Sequence, residues 1–376
     1  MRIAEVRVHP YRIPFRQPFV TAHGTLAARE GAIIELVTDE GITGLGDMAA
    51  VTEFGAVDLP TLLAALDGIR PALLQTEAQP DAKTLFRWVL HGLQRAQIAP
   101  PALRFALETA ATDALGRVAD ITEKDRSRTL RVPVNATIGV ADRDAASAAA
   151  QAAVMAGYGT IKLKVGMSAT IADEVRRIKA VRKAIGPATQ LRLDANEAWT
   201  CDQARHILVA CHECDLEYVE QPLPRDDLAG MRALREATGI PIAADEAITD
   251  ISSVARVCEA EAADVLILKP QLLGGFGAMR NAAYYAQRAQ KFAVVTSSLE
   301  SGVGVAATLR MISRSRFVPP RQKMPACGLA TLHLLEDDLI IEDLPIQDGM
   351  MQVPAVPGLG VTLDRAALEK YRYVPS

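Results

Sequence analysis

The sequence predicts an α/β protein in which a smaller α+β domain precedes a parallel barrel. Apolar, strand-like runs alternate with amphipathic helical stretches at intervals of 24 to 30 residues, as repeated right-handed β-α units do. A charged residue closes each run; these residues are Lys164, Asp194, Glu220, Asp245 and Lys269. Charges at nearly every strand end favour the circular rim of a barrel over an open sheet, where ligands gather at one crevice.

The composition limits the classes of protein that the chain can represent. Its 376 residues are 49% hydrophobic, which is enough for a large core and more than one domain. The net charge of -4 provides no basic surplus for nucleic acid or an anionic membrane surface. The sequence has no signal-peptide pattern, no uninterrupted apolar run long enough for a membrane span and only five cysteines, so we expect a cytoplasmic protein with reduced thiols. The composition is also compatible with a homo-oligomer.

The first fifty residues predict a small antiparallel meander. Three runs alternate apolar and polar positions, at residues 3–14, 32–38 and 41–49. We interpret residues 15–31, which contain His23, as a mobile loop, and residues 51–55 as a second loop. From residue 59 to residue 117 the period becomes helical, which predicts helices packed on the meander.

The barrel strands then follow in order, and the lysines on two of them are candidates for proton transfer. Lys162 and Lys164 are two apart on a strand, so both side chains point into the barrel mouth, where mutual repulsion can leave one of them a neutral base. A plain edge strand with alternating lysines is the alternative. Lys269 closes the apolar run at residues 265–268, where burying a charge without a purpose is costly. The alternative for Lys269 is a structural ion pair with Glu246.

Three carboxylates lie at the ends of the strands between those lysines. Any one of Asp194, Glu220 and Asp245 could be a helix cap, but together in consecutive repeats they predict a metal site. Oxygen ligands without histidine favour Mg²⁺, with Mn²⁺ as a possible substitute. Asn196 and Glu246 lie beside these ligands in sequence, and we expect them to orient a carboxylate or a lysine. Residues 294–298 and 326–329 predict two further barrel strands.

With these residues in place, the chain resembles the enolase superfamily, in its muconate-lactonizing-enzyme-like subgroup, over essentially its full length. The Lys-x-Lys pair at residues 162 and 164, the three acidic residues and Lys269 match the family pattern one by one. The resemblance implies a modified TIM barrel, (β/α)₇β, and an α+β capping domain built from both chain ends. It predicts a cap at residues 1–125, a barrel at 126–330 and a C-terminal segment, 331–376, that returns to the cap.

The same resemblance implies an activity. In that family Mg²⁺ binds a substrate carboxylate and stabilises the enediolate formed when a lysine removes the α-proton. Residues 133–136, 297–301 and 328–331 resemble the o-succinylbenzoate synthases of menaquinone biosynthesis. Lys164 would then remove the proton, and Lys269 would stabilise the enediolate as a cation. The substrate-binding candidates are Asn135, Ser298, Glu300 and His23.

Several other functions stay open at this point. An N-acylamino acid racemase or a muconate-type cycloisomerase would use the same residues. A dipeptide epimerase fits less well, because residues 326–330 lack the Asp-x-Asp that such enzymes usually use to hold the substrate ammonium group. From another class, the chain could be a non-catalytic small-molecule binding protein on the same barrel. All of these would bind a small-molecule carboxylate.

Overall fold

The structure is a computed structural model. It describes residues 1–21, 24–49, 51–52, 55–75, 79–95, 100–118, 130–314 and 324–375. The strands are β1 (Ile3–Thr21), β2 (Gly24–Thr38), β3 (Thr43–Met48), β4 (Arg131–Pro133), β5 (Ala136–Ile138), β6 (Thr160–Lys164), β7 (Gln190–Asp194), β8 (Leu216–Glu220), β9 (Ile242–Ala244), β10 (Val265–Leu268), β11 (Phe292–Val295), β12 (Ile346–Gln347) and β13 (Met350–Gln352). The helices are α1 (Leu59–Leu74), α2 (Ala82–Arg95), α3 (Pro101–Val118), α4 (Arg143–Met155), α5 (Ile171–Ile185), α6 (Cys201–Ala210), α7 (Leu228–Thr238), α8 (Ile251–Glu259), α9 (Pro270–Leu273), α10 (Phe276–Arg288), α11 (Gly302–Arg314) and α12 (Arg365–Lys370).

The capping domain is an antiparallel sheet, β1-β2-β3, with helix α3 packed closely on β3. The alternating pattern of β2 buries Ile34 and Leu36 against the helices. Two glycines on β3 allow the close approach: a Cβ on Gly44 would overlap the carbonyl oxygen of Ala110, and one on Gly46 would overlap that of Ala106. The cap is therefore held together partly by direct contact between strand and helix backbones.

The prediction of a mobile loop at residues 15–31 is wrong for the described residues of that range. Strand β1 runs on to Thr21, and β2 begins at Gly24, so most of this segment is a long hairpin. The irregularity between Pro14 and Phe19 keeps Pro18 out of the paired ladder. Apolar contacts stabilise the extension, because the rings of Phe15 and Phe19 stack with their centroids 5.6 Å apart.

Two predicted features of these loops lie outside the described residues. One is His23, and the other is the centre of the second loop, residues 53–54.

The barrel sheet is parallel and contains seven strands in the order β11-β10-β9-β8-β7-β6-β5. A short segment around Cys327 and Gly328 joins its two edges. The Cys327 amide donates to the Pro133 carbonyl at 2.7 Å, and the Gly328 amide donates to the Val295 carbonyl at 2.9 Å. The predicted fold class, a barrel of the (β/α)₇β kind with an α+β cap, is confirmed.

The inside of the barrel is filled with apolar side chains below its mouth. A separate buried cluster consists of Tyr218, Ala243, Val265, Ile267 and Val294. Since side chains alternate along a strand, the residues two positions after Tyr218, Ala243 and Ile267 also face inward, but one layer higher. Those residues are Glu220, Asp245 and Lys269. At these three strands the apolar layer holds the charged groups at the carboxyl end of the barrel. Arg192 on β7 is an exception to the apolar filling, because this buried charged residue lies one layer below Asp194.

The C-terminal segment lies against the cap. The Arg12 amide donates to the Tyr371 carbonyl at 2.9 Å, and the Arg365 guanidinium makes two hydrogen bonds of 2.7 Å to the Glu35 carboxylate. Burial works against the charge of Glu35, but hydrogen bonds from His9 and Arg365 outweigh it and lower the pKa of Glu35 to about 2. The boundaries 1–125, 126–330 and 331–376 themselves stay predictions.

Two features of the structure bear on the class of protein: its helices and its cysteines. Among the described residues, no helix is both long enough and apolar enough to cross a membrane. The five cysteines are free thiols.

Candidate active site

Five consecutive strands of the barrel, β6 to β10, end in a charged residue or are followed at once by one, and the structure brings these ends together. In order around the mouth they are Lys164, Asp194, Glu220, Asp245 and Lys269. Because the strands are parallel, all five carboxyl ends lie on one rim. A row of three carboxylates is thus flanked by a lysine on each side.

Lys162 lies between two of the carboxylates. Its Nζ is 2.7 Å from Asp194 Oδ2 and 2.7 Å from Glu220 Oε1. Burial works against its charge, but Asp194 and Glu220 outweigh that effect and raise the pKa of Lys162 well above its ordinary value. Lys162 is therefore an ammonium group that neutralises the carboxylates.

Lys164 is the most accessible of the three lysines. Its side chain is 21% exposed, compared with 11% for Lys162 and 7% for Lys269. Its Nζ donates to Asp194 Oδ2 at 2.7 Å and to Asn196 Oδ1 at 2.6 Å. A substrate entering the mouth would therefore meet Lys164 first.

Asn196 connects Lys164 to Glu246 through its side-chain amide. Its Nδ2 donates to Glu246 Oε1 at 2.9 Å, while its Oδ1 accepts from Lys164. The backbone of Asn196 is in the left-handed region, with φ of 43°, which asparagine tolerates better than most residues. The second oxygen of Glu246, Oε2, is buried and has no hydrogen-bond partner within the described part of the chain.

Lys269 is buried on the opposite side of the row. Its Nζ lies 2.7 Å from both oxygens of Asp245, so its closest partner is Asp245 and not Glu246. Burial works against its charge, but Asp245 and Glu246 outweigh that effect and raise the pKa of Lys269. Lys269 is therefore held as a cation in this arrangement.

The carboxylates repel one another. Burial, followed by the charges of Asp194 and Asp245, raises the pKa of Glu220 to about 8. Burial and Asp245 raise the pKa of Glu246 to about 7. For Asp194, burial is outweighed by Lys162 and Lys164, which hold its pKa far below the ordinary value. Four carboxyl groups therefore face three lysines, and ionisation of all four would leave an excess negative charge that a further cation could balance.

The carboxylate oxygens of the site are the type of donor atom that binds a hard divalent cation. Asp194, Glu220 and Asp245 offer only oxygen, which Mg²⁺ prefers, and the excess negative charge favours a cation. The Lys162 ammonium group, 2.7 Å from oxygens of Asp194 and Glu220, takes the position of such a cation between them. In this arrangement of the side chains, no three His, Cys, Asp or Glu residues of the described ranges are close enough together to hold a metal ion.

The substrate-binding candidates lie in different surroundings. Ser298 follows β11, and its buried hydroxyl has no hydrogen-bond partner among the described residues. Glu300 is occupied by its own turn: its Oε2 accepts from the Ser297 hydroxyl at 2.8 Å and from the Ser298 amide. Ser298 Oγ and Glu300 Oε1 are thus both buried oxygens without a partner among the described residues, and Glu300 also shapes the turn.

Asn135 lies deeper in the barrel than the lysines. It is two residues before Thr137, which is paired with Lys162 in the sheet. Its Oδ1 accepts from Arg192 Nη1 at 3.3 Å, and its Nδ2 donates to Thr137 Oγ1 at 3.2 Å. Through these bonds Asn135 supports the floor of the site.

Two supporting residues were missed from the sequence. Gln221 Oε1 accepts from the Asp245 and Ala247 amides at 3.0 and 3.1 Å and so fixes the end of β9. Nothing in its sequence context indicates that role. Arg192 is buried and donates to the Ala326 carbonyl at 2.7 Å. A charged residue inside an apolar strand, two positions before Asp194, was a signal that could have found it.

Comparisons with known proteins match both parts of the chain. A family model described as Enolase C-terminal domain-like matches residues 144–367. A model for the N-terminal domain of mandelate racemase / muconate lactonizing enzyme matches residues 3–123.

Individual relatives carry several different activities. The chain is 38% identical over 227 residues to an o-succinylbenzoate synthase from Thermobifida fusca, covering 60% of this chain and 67% of that protein. It is 26% identical over 368 residues to the L-Ala-D/L-Glu epimerase of Bacillus subtilis, covering 96% and 97%. The solved structure of muconate lactonizing enzyme from Pseudomonas fluorescens, complexed with muconolactone, superposes with a TM-score of 0.86 at 25% identity, covering 99% of each chain.

Proposed function

Because this chain belongs to the mandelate racemase and muconate lactonizing enzyme family of the enolase superfamily, we propose that it removes a proton α to a carboxylate with the help of Mg²⁺. The observation that carries the proposal is the order of groups around the rim, with a lysine on each side of three carboxylates. A substrate bound over that row has an amine on each of its two faces.

Asp194, Glu220 and Asp245 would hold the metal ion, with Mn²⁺ as a possible substitute. When bound there, Mg²⁺ would bind the substrate carboxylate, stabilise developing negative charge and offset the charge of the three ligands, which favours the neutral amine on a nearby lysine. Asn196 and Glu246 would keep Lys164 aimed at the substrate through their hydrogen bonds.

Lys164 would act as the base, because it is the most accessible of the lysines. As a neutral amine, its Nζ takes the α-proton, and the electrons of the C–H bond pass into the substrate carboxylate as an enediolate. In a dehydration the neighbouring C–O bond then breaks, the enediolate electrons form the new C=C bond, and the proton on Lys164 passes to the departing hydroxyl, which leaves as water. Lys162 would hold Asp194 and Glu220 in place through its contacts with both carboxylates.

Lys269 would stabilise the enediolate as a cation from the opposite face. Its ion pair with Asp245 and its raised pKa support the charged form. A fixed cation at a site of developing negative charge lowers the barrier without transferring a proton.

Among reactions of this kind, we favour the dehydration of 2-succinyl-6-hydroxy-2,4-cyclohexadiene-1-carboxylate to o-succinylbenzoate, a step in menaquinone biosynthesis. Similarity to the Thermobifida fusca o-succinylbenzoate synthase supports this choice. A charged Lys269 also suits a reaction that needs only one base.

The second candidate is an N-acylamino acid racemase or a dipeptide epimerase. Lysines on both sides of the row favour it, because inverting a carbon centre needs an acid and a base on opposite faces. The similarity to the Bacillus subtilis epimerase also supports it. A muconate-type cycloisomerase ranks after these.

A turnover screen of the purified protein with Mg²⁺ tests the proposal. The cyclohexadiene carboxylate, N-acylamino acids and dipeptides are compared, and we expect the highest kcat/KM for the first, with loss in EDTA and recovery on adding Mg²⁺. Turnover of an N-acylamino acid or dipeptide alone would assign the second candidate. Binding of all three substrate classes without turnover would favour a non-catalytic binding protein.

A further inference from the structure

The end of strand β3 in the cap is bonded to the barrel by one buried glutamine. Strand β3 is an edge of the cap sheet, so one side of its backbone needs partners from elsewhere. Gln271 supplies them: its Nε2 donates to the Asp47 carbonyl at 2.8 Å, and its Oε1 accepts from the Ala49 amide at 3.3 Å. We call these two hydrogen bonds the Gln271 bridge. The side-chain amide thus donates to one backbone carbonyl and accepts from one backbone amide, as a neighbouring strand would.

A rigid turn connects the Gln271 bridge to Lys269. Lys269 is the residue that precedes helix α9, and its carbonyl accepts from the Leu272 and Leu273 amides at 3.1 and 3.0 Å. Pro270 occupies the first helical position, where its ring fixes φ. Because only this one turn separates Gln271 from Lys269, a displacement of one moves the other.

Helix α3 of the cap holds the other end of the same segment. Arg104 Nη2 donates to the Leu273 carbonyl at 2.8 Å, and Arg104 Nε donates to the Gly274 carbonyl. Glu108 Oε2 accepts from the Gly277 amide at 3.3 Å. The segment that follows Lys269 is therefore held by cap residues on two sides.

The end of β3 also holds the adjacent barrel strand. Asp47 Oδ2 accepts from the Ser301 amide at 2.9 Å and from its hydroxyl at 2.7 Å. Arg29 donates to the Leu299 carbonyl at 2.9 Å and to the Ala49 carbonyl. The segment after β11 is thus bonded to the cap through the Asp47 side chain and Arg29, whereas Gln271 bonds the backbone of Asp47 and Ala49 to the segment after β10.

We propose that Gln271 is a positioning residue for Lys269: by bonding the end of β10 to β3, it sets where the Lys269 ammonium group lies relative to the substrate. This inference rests on the proposed function, in which Lys269 stabilises the enediolate. Gln271 itself does not touch the reacting atoms. It acts through the turn that joins it to Lys269.

The first test needs no activity. Gln271→Met keeps the length of the side chain and removes both hydrogen bonds, and Gln287→Met, at an exposed position of α10, is the matched control. Amide hydrogen exchange is measured on the full chain. We expect faster exchange in the peptide containing Ala49 in Gln271→Met and no change in the control. Unchanged exchange at Ala49 in a folded Gln271→Met protein would overturn the bridge.

The second test is a double-mutant cycle with Lys269→Arg. Misplacing a catalytic group by a fraction of an ångström lowers kcat, so Gln271→Met alone should reduce kcat at least about tenfold, with KM within about threefold. If Gln271 acts through Lys269, the same substitution should cost little more in the Lys269→Arg background. An equal loss in both backgrounds would instead assign Gln271 a general structural role and overturn the proposal.

A conservative variant separates poor folding from poor positioning. Gln271→Glu keeps the acceptor for the Ala49 amide and loses the donor to the Asp47 carbonyl, so we expect a kcat between those of the wild type and Gln271→Met. If Gln271→Met does not fold, the kinetic cycle is made on Gln271→Glu, and amide exchange is measured on Gln271→Ala, which also removes both hydrogen bonds. Absence of wild-type turnover on every substrate class would refute the proposed function, whereas the exchange measurement judges the bridge by itself.

Discussion

The three lysines of the site differ in the partners that surround them. Lys162 contacts two carboxylates, those of Asp194 and Glu220. Lys269 contacts both oxygens of the Asp245 carboxylate. Lys164 donates to the Asp194 carboxylate and to the side-chain amide oxygen of Asn196. The sequence predicts their common location, because the strand period places them on one rim. It could not distinguish their charge states, because those depend on distances between side chains from different strands.

Replacing Lys164 tests the proposed base. Lys164→Ala should lose turnover by about 10³-fold or more, because the α-proton then has no acceptor on that face. Steady-state kinetics together with circular dichroism check both activity and fold. Lys183→Ala, at an exposed position of α5, is the control and should keep full activity. Normal turnover in folded Lys164→Ala would remove it from the role of base.

Replacing Lys269 by arginine separates a cation from a proton donor. Arginine keeps the positive charge but does not give up a proton in proteins. Lys269→Arg should therefore retain some dehydration and abolish any racemisation. Both activities are measured on the same preparation, the second by the loss of optical rotation of a single enantiomer of an N-acylamino acid. Equal retention of both would contradict the assigned role.

At the scale of single elements, the contact between β3 and α3 has no room for a side chain at Gly46. Gly46→Ala should destabilise the protein by about 3 kcal/mol, because its Cβ would overlap the Ala106 carbonyl. Thermal unfolding followed by circular dichroism measures the effect. Gly68→Ala in α1 is the matched control: a Cβ there meets nothing within 4 Å, and alanine favours a helix, so Tm should stay the same or rise. A similar loss in both variants would contradict this explanation.

The docking of α12 on the cap should depend on pH through Glu35. Its pKa in the folded protein is about 2, below the ordinary 4.5, so its contribution to stability is present above pH 4.5 and is lost as pH falls toward 2. The contribution is about 2 kcal/mol, allowing for the half-exposed Arg365. The Tm difference between wild type and Glu35→Gln should be largest at pH 6 and smaller at pH 3. Glu40→Gln, at an exposed turn, should show no such trend.

Elements with a clear period could be predicted from the sequence, and those fixed by contacts between distant residues could not. The strand ends at Lys164, Asp194 and Glu220 are confirmed, because buried parallel strands are short apolar runs with polar boundaries. The hairpin at residues 15–31 was missed because its polar residues and glycines interrupt the strand pattern as a loop does. Its apolar residues find partners that lie far away in the chain, as in the bridge between Phe15 and Leu335.

At the scale of the whole molecule, metal binding should stabilise the fold without being needed for it. The lysines already neutralise part of the carboxylate charge, so protein treated with EDTA should stay folded. Adding Mg²⁺ at 100 times its Kd should then raise stability by roughly 2.7 kcal/mol, seen as a higher Tm. Glu220→Gln should reduce this shift, whereas Asp39→Asn at an exposed turn should not. An equal shift in both variants would place the ion elsewhere.

The contact between Tyr371 and Arg12 affects how the protein is made. The sheet of the cap is synthesised before the barrel, but the segment that pairs with its β1 edge, residues 371–373, is synthesised after the barrel. All the barrel strands are made in the interval. The barrel can therefore begin to fold while the cap is still unfinished, and a nascent chain stalled before residue 365 would carry an assembled barrel beneath a cap that has not closed.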